Sequence, residues 1–431
     1  MPLWGFIFSF ASRSLDHRET VTSRSRLFLK MCSSIILRFD MSKILVQKRT
    51  AYIGCIGVVG IISLEFGVVG ILPQIAAYYH LNIRDAGYLL SAFALTIAVT
   101  APFSVLFASR FNRKKTMLLA LGLFFISSVL SVLAPPFWLM VLLRMLPAFL
   151  HPVFFSMAIE TASEGVSHQM QLRYTSIIIG GVTLAQVTVL PLGTFMASVF
   201  DWRAVYIVQC IILLIGLFSI YFLIPSTPAK EPNHYSSQLA ILKKPSFIAG
   251  TLFNFLLILS WFATYGYFAD YLTKIKGLAT KEVSYMLLLF GATGLLSNFV
   301  AGRMLGRKPF ITTLFFLSGI FLLPLLLAYT DSSLTQVFVA VAIWGAMFGS
   351  CFLIGVYYGI SAAPEAKAFA NSLQISFGNL GVSLGTAISG WFILKHSVSV
   401  TPWVGFGTGI LALAVLLGRL YLDTYDSKKK S

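Results

Sequence analysis

Residues 64–74, LEFGVVGILPQ, form the middle of the first long apolar run in the chain. Glu65 is the only charged residue within residues 51–78. A carboxylate in the hydrocarbon core of a bilayer costs about 3 kcal/mol even on lenient insertion scales, so such residues usually face a protein interior or a water-filled cavity and mark an ion or substrate path. We therefore expect the rest of the chain to surround a site at Glu65. The alternative is a structural glutamate that pairs with a neighbouring helix or stays protonated.

The composition indicates a polytopic helical membrane protein. Of 431 residues, 57% are hydrophobic and 11% are charged, which excludes an ordinary soluble domain. The net charge of +17 would suggest nucleic-acid binding in a soluble protein. Here the basic residues lie between apolar runs, where Lys and Arg hold loops on the cytoplasmic side, so we expect no nucleic-acid partner. Three of the four Cys lie in apolar runs, and their spacing indicates neither a disulfide framework nor a metal site.

Residues 1–40 differ in character from the rest of the chain. They mix Arg, Ser, Asp and His without a period, and they lack the positive start and the small-residue cleavage site of a signal peptide. Met41 begins MSKILVQKRT, a short basic lead into the first span. We expect residues 1–50 to form a basic tail, in which residues 1–40 are disordered or arise from a start codon placed too far upstream.

From Ala51 onward the hydrophobic pattern predicts twelve transmembrane helices, each long enough to cross about 30 Å of hydrocarbon. The predicted spans are 51–78, 86–108, 116–134, 137–159, 174–199, 203–224, 247–272, 282–303, 309–329, 334–360, 369–394 and 402–422. The longest gap carries several Pro and Lys residues and is the natural linker between two halves. The predicted domains are an N-terminal six-helix half, 51–224, a cytoplasmic linker, 225–246, a C-terminal six-helix half, 247–424, and a basic tail, 425–431.

The predicted loops also give an orientation. From Met41 onward, the segments on the side of the N-terminus hold 19 Lys and Arg residues, whereas the opposite loops hold six. Because basic loops stay on the cytoplasmic side, we expect both ends of the chain to lie in the cytoplasm. The loop between spans 7 and 8 runs against this trend, since it carries three lysines on the opposite side.

The two halves resemble each other in sequence. LNIRDAGYLLSAF at 81–93 aligns without gaps with LATKEVSYMLLLF at 278–290, and LGT recurs at 192–194 and 384–386. Similarity between helix n and helix n+6 indicates a parallel duplication. Transporters built in this way bind substrate between the halves near the membrane midplane and rock one half against the other.

From about residue 50 to residue 425, the chain resembles the major facilitator superfamily, and within it the twelve-helix drug:proton antiporter group, in the arabinose-efflux-permease-like branch. The resemblance is carried by LEFGVVGILPQIA at 64–76, RFNRKK at 110–115, LPLGTF at 190–195, DWRAVY at 201–206 and NLGVSLGTAISG at 379–390. It implies an all-α fold of twelve transmembrane helices in two pseudo-symmetric six-helix halves.

The loop between spans 2 and 3 departs from the family pattern G-x-x-x-D-R-x-G-R-K. Val105, Ser109 and Asn112 stand where the family has Gly, Asp and Gly, so the charge latch that the family builds on this Asp is in doubt. In span 4, Arg144 matches the arginine of the family pattern R-x-x-Q-G, but Pro147 replaces Gln. The remaining basic positions of the loop and of its second-half copy are candidates for gating or topology: Arg110, Arg113, Lys114, Arg303 and Arg307.

A proton-coupled transporter needs a titratable group in the membrane whose proton affinity depends on its surroundings. Burial raises the proton affinity of a carboxyl, and a nearby cation lowers it. Glu65 is the carboxyl candidate. Arg144 and His151 are seven residues apart, on one face of span 4, and are the basic candidates. Asp270, at the outer end of span 7, is a further candidate. The alternatives are an Arg144 that reaches the membrane interface, a neutral His151 bonded to a backbone carbonyl, and a hydrated, interfacial Asp270.

Candidate substrate-binding residues are Gln186 in span 5, Trp261 and Tyr265 in span 7, and Asn371 and Gln374 in span 11. An aromatic wall suits apolar or planar substrates, but a lipid-facing or packing stripe explains the same spacing equally well. The two polar residues of span 11 lie toward its cytoplasmic end, where they either line the cavity or bond another helix.

Four glycines are predicted to serve helix packing. Gly378, Gly381 and Gly385 follow a spacing of three and four residues along span 11, which is typical of a close helix-packing seam. Gly193 belongs to a Gly- and Pro-containing part of span 5 that resembles the bend of the antiporters.

These observations favour a secondary active transporter, a proton-coupled exporter of a small organic molecule such as a drug, a sugar or a nucleoside. The alternatives are a proton-coupled uptake symporter, a polytopic membrane enzyme and a non-transporting sensor. Because the chain has no GxxxxGK[ST] loop, ATP-driven pumping by this chain alone is excluded. We expect no cofactor, with the proton gradient as energy source, and we expect substrate, protons and lipid as partners of a functional monomer in the bacterial inner membrane.

Overall fold

The computed structural model describes the backbone of residues 23–108, 110–226, 236–330 and 333–430. The described α-helices are Ser23–Gly67, Leu72–Tyr78, Ile83–Ala86, Tyr88–Ala108, Arg113–Val132, Phe137–Ala148, His151–Ala162, His168–Leu184, Leu190–Val199, Ala204–Leu223, Pro245–Tyr265, Phe268–Lys274, Thr280–Arg307, Pro309–Tyr329, Leu334–Phe348, Cys351–Ser361, Lys367–Lys395 and Thr401–Lys430. No strand occurs within these ranges.

Twelve helical segments of the described chain are long and apolar enough to cross a membrane. We number them spans 1 to 12: Leu45–Gly70, Ile83–Val105, Arg113–Val132, Phe137–Ala162, Gln169–Val199, Ala204–Leu223, Pro245–Lys274, Thr280–Arg307, Pro309–Tyr329, Leu334–Ser361, Phe369–Lys395 and Val398–Thr424. Lipid offers the backbone no hydrogen-bond partner, so a chain of this composition crosses the bilayer as helices that satisfy their own amides. The predicted all-α, twelve-helix fold is confirmed.

The described chain divides after Lys48 into two compact units, the first described from Ser23 onward. In the first unit, the helix is described from Ser23 onward, so residues 23–40, for which we expected disorder, are helical. The reason is that no Gly or Pro interrupts the sequence between Ser23 and Gly54. Residues 1–22 lie outside the described part, and the start at Met41 stays a prediction. Residues 227–235 of the predicted linker also lie outside it, so the boundaries of the two halves stay predictions as well.

Several spans are interrupted near their middle. Span 1 changes from α-helix to a 3₁₀ turn at Val68–Gly70, and span 5 contains a π-helix at Ala185–Val189. Span 4 is interrupted between Ala148 and His151, just after Pro147. Interrupted helices release backbone carbonyls from their own ladder, and transporters place such breaks at their binding sites. The breaks of spans 1 and 4 both lie beside Glu65.

The spans alternate between two ends of the bundle. We call the end that holds residues 79–82 the distal end, and the end that holds residues 106–112 the proximal end. The first six spans meet the last six chiefly where span 2 packs on span 11 and span 5 on span 8. Near the distal end, the hydroxyl of Tyr267 lies so close to Gly87 of span 2 and Gly390 of span 11 that a Cβ atom on either glycine would collide with it.

Candidate functional site

Glu65 lies in the last α-helical turn of span 1, just before the change to 3₁₀-helix. The change begins after Gly67, where a neighbouring helix comes close. A Cβ atom on Gly67 would lie 2.7 Å from Nε2 of Gln209 on span 6. This close packing buries Glu65, which is 3% exposed. The carboxylate predicted to organise the chain therefore lies in the protein interior and does not face lipid.

The carboxylate of Glu65 contacts His151 on span 4. Oε2 of Glu65 lies 3.1 Å from Nε2 of His151, and both side chains are buried. His151 is the first residue of the helix that begins after the break in span 4, so the break places the imidazole opposite span 1. The rings of Phe155 and Phe93 pack against the imidazole at centroid distances of 5.0 and 6.4 Å. Nδ1 of His151 has no hydrogen-bond partner among the described residues.

Arg144 is fully buried and is held by main-chain oxygens. Its Nε donates to the carbonyl of Leu89 at 3.0 Å, and its Nη2 donates to the carbonyl of Glu65 at 3.1 Å. The guanidinium also lies 5.5 Å from the ring centroid of Phe93. The side chain thus does not reach the membrane interface. It places a fixed positive charge at the break of span 1, on the backbone of the residue whose carboxylate binds His151.

Polar side chains that were not predicted from the sequence complete this site. Nε2 of Gln209 donates to the carbonyl of Ser63 at 2.8 Å, and the phenol of Tyr206 lies beside the Arg144 guanidinium. Oε1 of Gln209 has no hydrogen-bond partner within the described chain. The signal that could have indicated span 6 is Gln209 itself, because it is the only amide side chain between Ala204 and Leu223.

The geometry suits the binding and release of one proton. Glu65 and His151 share a contact that exists with the proton on either residue, and an unpaired buried charge is costly. The fixed charge of Arg144 lies at the same break, where attraction between charges is stronger than in water. No three His, Cys, Asp or Glu side chains of the described part lie close enough together to hold a metal ion.

The comparison with protein families identifies the chain. A family model described as Major Facilitator Superfamily matches residues 54–365 and 250–431. The chain belongs to this superfamily. It is therefore a multi-pass membrane transporter, and the family inferred from the motifs of spans 1, 5, 6 and 11 is confirmed.

Relatives within the superfamily are similar over most of their length. A probable sugar efflux transporter of Helicobacter acinonychis (strain Sheeba) is 27% identical over 355 residues, which are 81% of this chain and 90% of the relative. The inner membrane transport protein YdhP of Escherichia coli (strain K12) is 27% identical over 362 residues, which are 84% of this chain and 93% of the relative. The matches thus cover more than four fifths of this chain and at least nine tenths of each relative.

Solved structures share the fold. A mutant of the nucleoside transporter NupG has a TM-score of 0.68 at 12% identity, over 87% of this chain and 99% of that chain. A D-xylose-proton symporter has a TM-score of 0.65 at 18% identity, over 86% of this chain and 97% of that chain. At these identities the likeness concerns the major facilitator fold alone.

Asp270 lies near the distal end, in the second helix of span 7. Its side chain is 0% exposed, and Nζ of Lys274 lies 3.0 Å from its Oδ1. Asp270 was a proton-coupling candidate, and the alternative was a hydrated, interfacial carboxylate. The structure instead buries Asp270, because span 7 breaks at Gly266 and Tyr267 and its second helix, Phe268–Lys274, packs against the end of span 1. Asp270 borders a cavity there.

The aromatic candidates of span 7 are buried in the C-terminal half of the chain. Trp261 packs on Phe348 of span 10 at a ring-centroid distance of 4.0 Å, and Tyr265 packs on Phe290 of span 8 at 5.2 Å. In this conformation the two rings form part of a packed aromatic cluster. Nε1 of Trp261 has no hydrogen-bond partner in the described structure, so it keeps a free donor.

The polar candidates of spans 5 and 11 differ in their surroundings. Gln374 is buried, and its Nε2 donates to Oγ1 of Thr251 on span 7 at 2.8 Å. The main-chain carbonyl of Gln374 accepts a hydrogen bond from Nδ2 of Asn254 at 2.9 Å. Asn254 was not predicted from the sequence. Gln374 therefore bonds another helix, which was one of the two expected alternatives. Asn371 and Gln186 are half-buried, and Gln186 lies in the π-helix of span 5.

The glycines of span 11 face span 7 at short range. A Cβ atom on Gly381 would lie 2.6 Å from the carbonyl oxygen of Phe255, and one on Gly385 would lie 2.6 Å from that of Leu259. Gly378 has more room, with Asn254 Nδ2 at 3.7 Å. On span 5, a Cβ atom on Gly193 would make ordinary contact with Val205 at 3.4 Å. Only the first two positions require the absence of a side chain.

The basic residues at the proximal end have unequal environments. Arg113 is buried. Its Nη1 donates at 3.0 Å to Oε2 of Glu164, just after span 4, and its Nε lies 3.6 Å from Oε2 of Glu160 on span 4. These two acids were not predicted as partners. Nζ of Lys114 donates to the carbonyl of Tyr221 at 2.7 Å. The other three candidates are exposed: Arg110, Arg303 and Arg307.

Proposed function

We propose that this transporter exports a small organic molecule in exchange for protons by alternating access. The observation that carries the proposal is the buried contact between Glu65 and His151 at the break of span 1, with the Arg144 guanidinium on the backbone of Glu65. A proton-driven cycle needs one buried group that gives up its proton when the cavity opens to one side and regains it on the other. The pair supplies such a group.

The substrate class is proposed from the relatives. Relatives of comparable length include proteins named as probable sugar efflux transporters and an inner membrane transport protein. We therefore place sugars first among the candidate substrates, followed by drugs and nucleosides. Gln186, with its amide in the π-helix of span 5, and Asn371 are the proposed polar contacts to substrate. Trp261 and Tyr265 become contacts only if the aromatic cluster opens during the cycle.

Uptake by proton symport is the second candidate. One solved structure of similar fold is a proton symporter for a sugar, and a buried carboxylate with a cation beside it serves either direction of transport. We favour export because several relatives matched over four fifths of this chain are named as probable sugar efflux transporters. The relatives point away from a membrane enzyme or a sensor.

We also propose the setting of the transporter. The excess of Lys and Arg at the proximal end favours a cytoplasmic location of that end, with both chain termini inside. The inner membrane location named for one relative supports the same membrane for this chain. The proposed cycle uses the proton gradient alone, needs no cofactor and is carried out by a monomer.

The test is flux driven by a pH gradient in proteoliposomes that contain the purified protein. Wild type, Glu65→Gln and the control Glu365→Gln are compared on a panel of pentoses, nucleosides and drugs. We expect one class to move against its gradient only with a proton gradient imposed. Glu65→Gln should abolish this uphill movement and leave substrate binding intact, whereas Glu365→Gln, at an exposed loop position, should transport normally. Uphill transport by Glu65→Gln would contradict the proposal.

A further inference from the structure

A second polar site lies outside the Glu65 site, at the distal end between the two halves. It is a cavity of about 530 Å³ between the helix Leu72–Tyr78 that follows span 1, the start of span 2 and the distal ends of spans 7 and 11. Most of its lining is apolar, including Pro73, Ile275 and Ile393. Exposed lining residues such as Asn82 show that it opens to the distal surface. Its volume lies within the range of pockets for small organic ligands.

Asp270 is the buried charge of this cavity. Its side chain is 0% exposed, and its Oδ2 has no hydrogen-bond partner in the described structure. Lys274 provides an ion pair at 3.0 Å, but the Lys274 side chain is 58% exposed. A buried carboxylate is normally satisfied by hydrogen-bond donors. Asp270 therefore keeps acceptor capacity toward the cavity, and its present counter-ion is a flexible side chain that water can solvate elsewhere.

We propose that the distal cavity binds a small organic cation, an ammonium group on an apolar body, and that this ammonium replaces Lys274 at Asp270. The carboxylate would bind the charge, and the walls formed by the helix Leu72–Tyr78 and by spans 2 and 11 would cover the body. An inorganic divalent cation fits poorly, because Ca²⁺ takes six to eight oxygen ligands and the lining offers few oxygen-bearing side chains beyond Asp270, Asn82 and Ser397. The inference concerns binding alone and holds for either direction of transport.

Because Lys274 and the ligand compete for Asp270, two variants should change the binding affinity in opposite directions. Asp270→Asn removes the charge that attracts the ammonium and should weaken binding by about tenfold, since hydrogen bonds to charged groups are worth one to two factors of ten. Lys274→Met removes the competing ammonium and should tighten binding by about threefold, in line with an ion pair that is partly exposed. A general loss of structure cannot produce tighter binding.

The experiment titrates 4-phenylbutylammonium into the purified full chain and measures its affinity by saturation-transfer NMR, with 4-phenylbutanol as the uncharged reference. Lys281→Met is the control for a change of net charge, because Lys281 is also at the distal end but does not line the cavity. Glu65→Gln is the control for binding at the buried site. We expect both controls to match wild type and the alcohol to be insensitive to Asp270→Asn.

Three outcomes would overturn the proposal. In the first, wild type and Asp270→Asn bind 4-phenylbutylammonium with equal affinity. In the second, Lys274→Met and Lys281→Met tighten binding equally. In the third, Glu65→Gln loses binding. The last outcome would place the cation at the Glu65 site. Because none of these measurements involves flux, a failure of this proposal is distinguishable from a failure of the proposed export.

Discussion

At the scale of single residues, the sequence identified the carboxylate but not its partners. Glu65 could be found because it is the only charge in a long apolar span. The 3.1 Å contact to His151 depends on how spans 1 and 4 rotate against each other, which spacing within one helix does not determine. For Arg144 the sequence left open a position at the membrane interface. Packing instead buries it against two carbonyls.

The hydrogen bonds from Arg144 to two main-chain carbonyls give the first prediction. Arg144→Lys should lower the free energy of unfolding by about 2 kcal/mol, because an ammonium cannot reach both the Leu89 and the Glu65 carbonyl as a planar guanidinium does. Scanning fluorimetry of the detergent-solubilised protein measures the change. The exposed Arg307→Lys is the matched control and should stay within about 0.5 kcal/mol of wild type. Equal stability of the two variants would contradict this role of Arg144.

An exposed ion pair at the proximal end gives a prediction on pH. Nζ of Lys244 lies 2.6 Å from Oε1 of Glu365, and this hydrogen bond holds the pKa of the Glu365 carboxyl below its usual value. A carboxyl with a lowered pKa in the folded state adds stability above its unfolded pKa, and the gain is lost as the pH falls through the folded pKa. Glu365→Gln should therefore be less stable than wild type at pH 7, by under about 1 kcal/mol.

The same comparison at acid pH checks the sign. Thermal unfolding of wild type and Glu365→Gln should converge as the pH falls, because both then carry an uncharged side chain at this position. Lys244→Met should show the same small loss at neutral pH, and the double variant should add little to it. A difference that grows on acidification would contradict the assignment.

At the scale of elements, hydropathy was sufficient for the spans but not for their breaks. Span 9 was predicted at 309–329 and is Pro309–Tyr329, since length and apolarity alone define a membrane helix. The 3₁₀ turn at Val68–Gly70 and the π-helix at Ala185–Val189 were not predicted. Gly and Pro are frequent in transmembrane helices that do not break, so their presence does not locate an interruption.

The contact between spans 7 and 11 gives a prediction at this scale. Gly385→Ala should destabilise the protein by about 1 to 3 kcal/mol, because the new methyl would lie 2.6 Å from the Leu259 carbonyl oxygen, and neither backbone can yield easily. Gly407→Ala in span 12 is the control, since no atom lies within 4 Å of its Cβ position. It should be neutral or slightly stabilising, because Ala suits a helix better than Gly. If the thermal melts of Gly385→Ala and Gly407→Ala coincided, the close contact between spans 7 and 11 would be refuted.

At the scale of the whole molecule, the internal repeat predicted two related halves, and the family assignment agrees with it. The sequence could not show how the halves meet in this conformation. Near the distal end they are joined by the Tyr267 hydroxyl, which lies against Gly87 and Gly390 and donates to the Thr386 carbonyl at 3.1 Å. Such a contact requires two segments of the chain to come close together. The glycines in the sequence do not show which segment each of them contacts.

This distal contact predicts a conformational effect. Gly390→Ala places a methyl 2.5 Å from the Tyr267 hydroxyl and 3.0 Å from the side chain of Arg84, so it should push the two halves apart near the distal end. Gln74→Cys reports on this end, because Gln74 Nε2 lies 3.4 Å from Thr280 Oγ1 of the other half. Labelling of this cysteine by a membrane-impermeant maleimide should become several-fold faster with Gly390→Ala. The control Gly180→Ala, where no atom lies near the new methyl, should leave the labelling rate unchanged. Equal labelling rates with and without Gly390→Ala would contradict the predicted conformational effect.

The central claim is that substrate and proton exchange at the pair formed by Glu65 and His151. The most direct measurement adds the transported substrate to purified protein in weakly buffered solution and records the proton change with a pH indicator. We predict the release of about one proton per protein molecule in wild type, no release in Glu65→Gln, and wild-type release in Glu365→Gln. Proton uptake would indicate symport. Release that persists in Glu65→Gln would contradict the assignment of the proton to this pair.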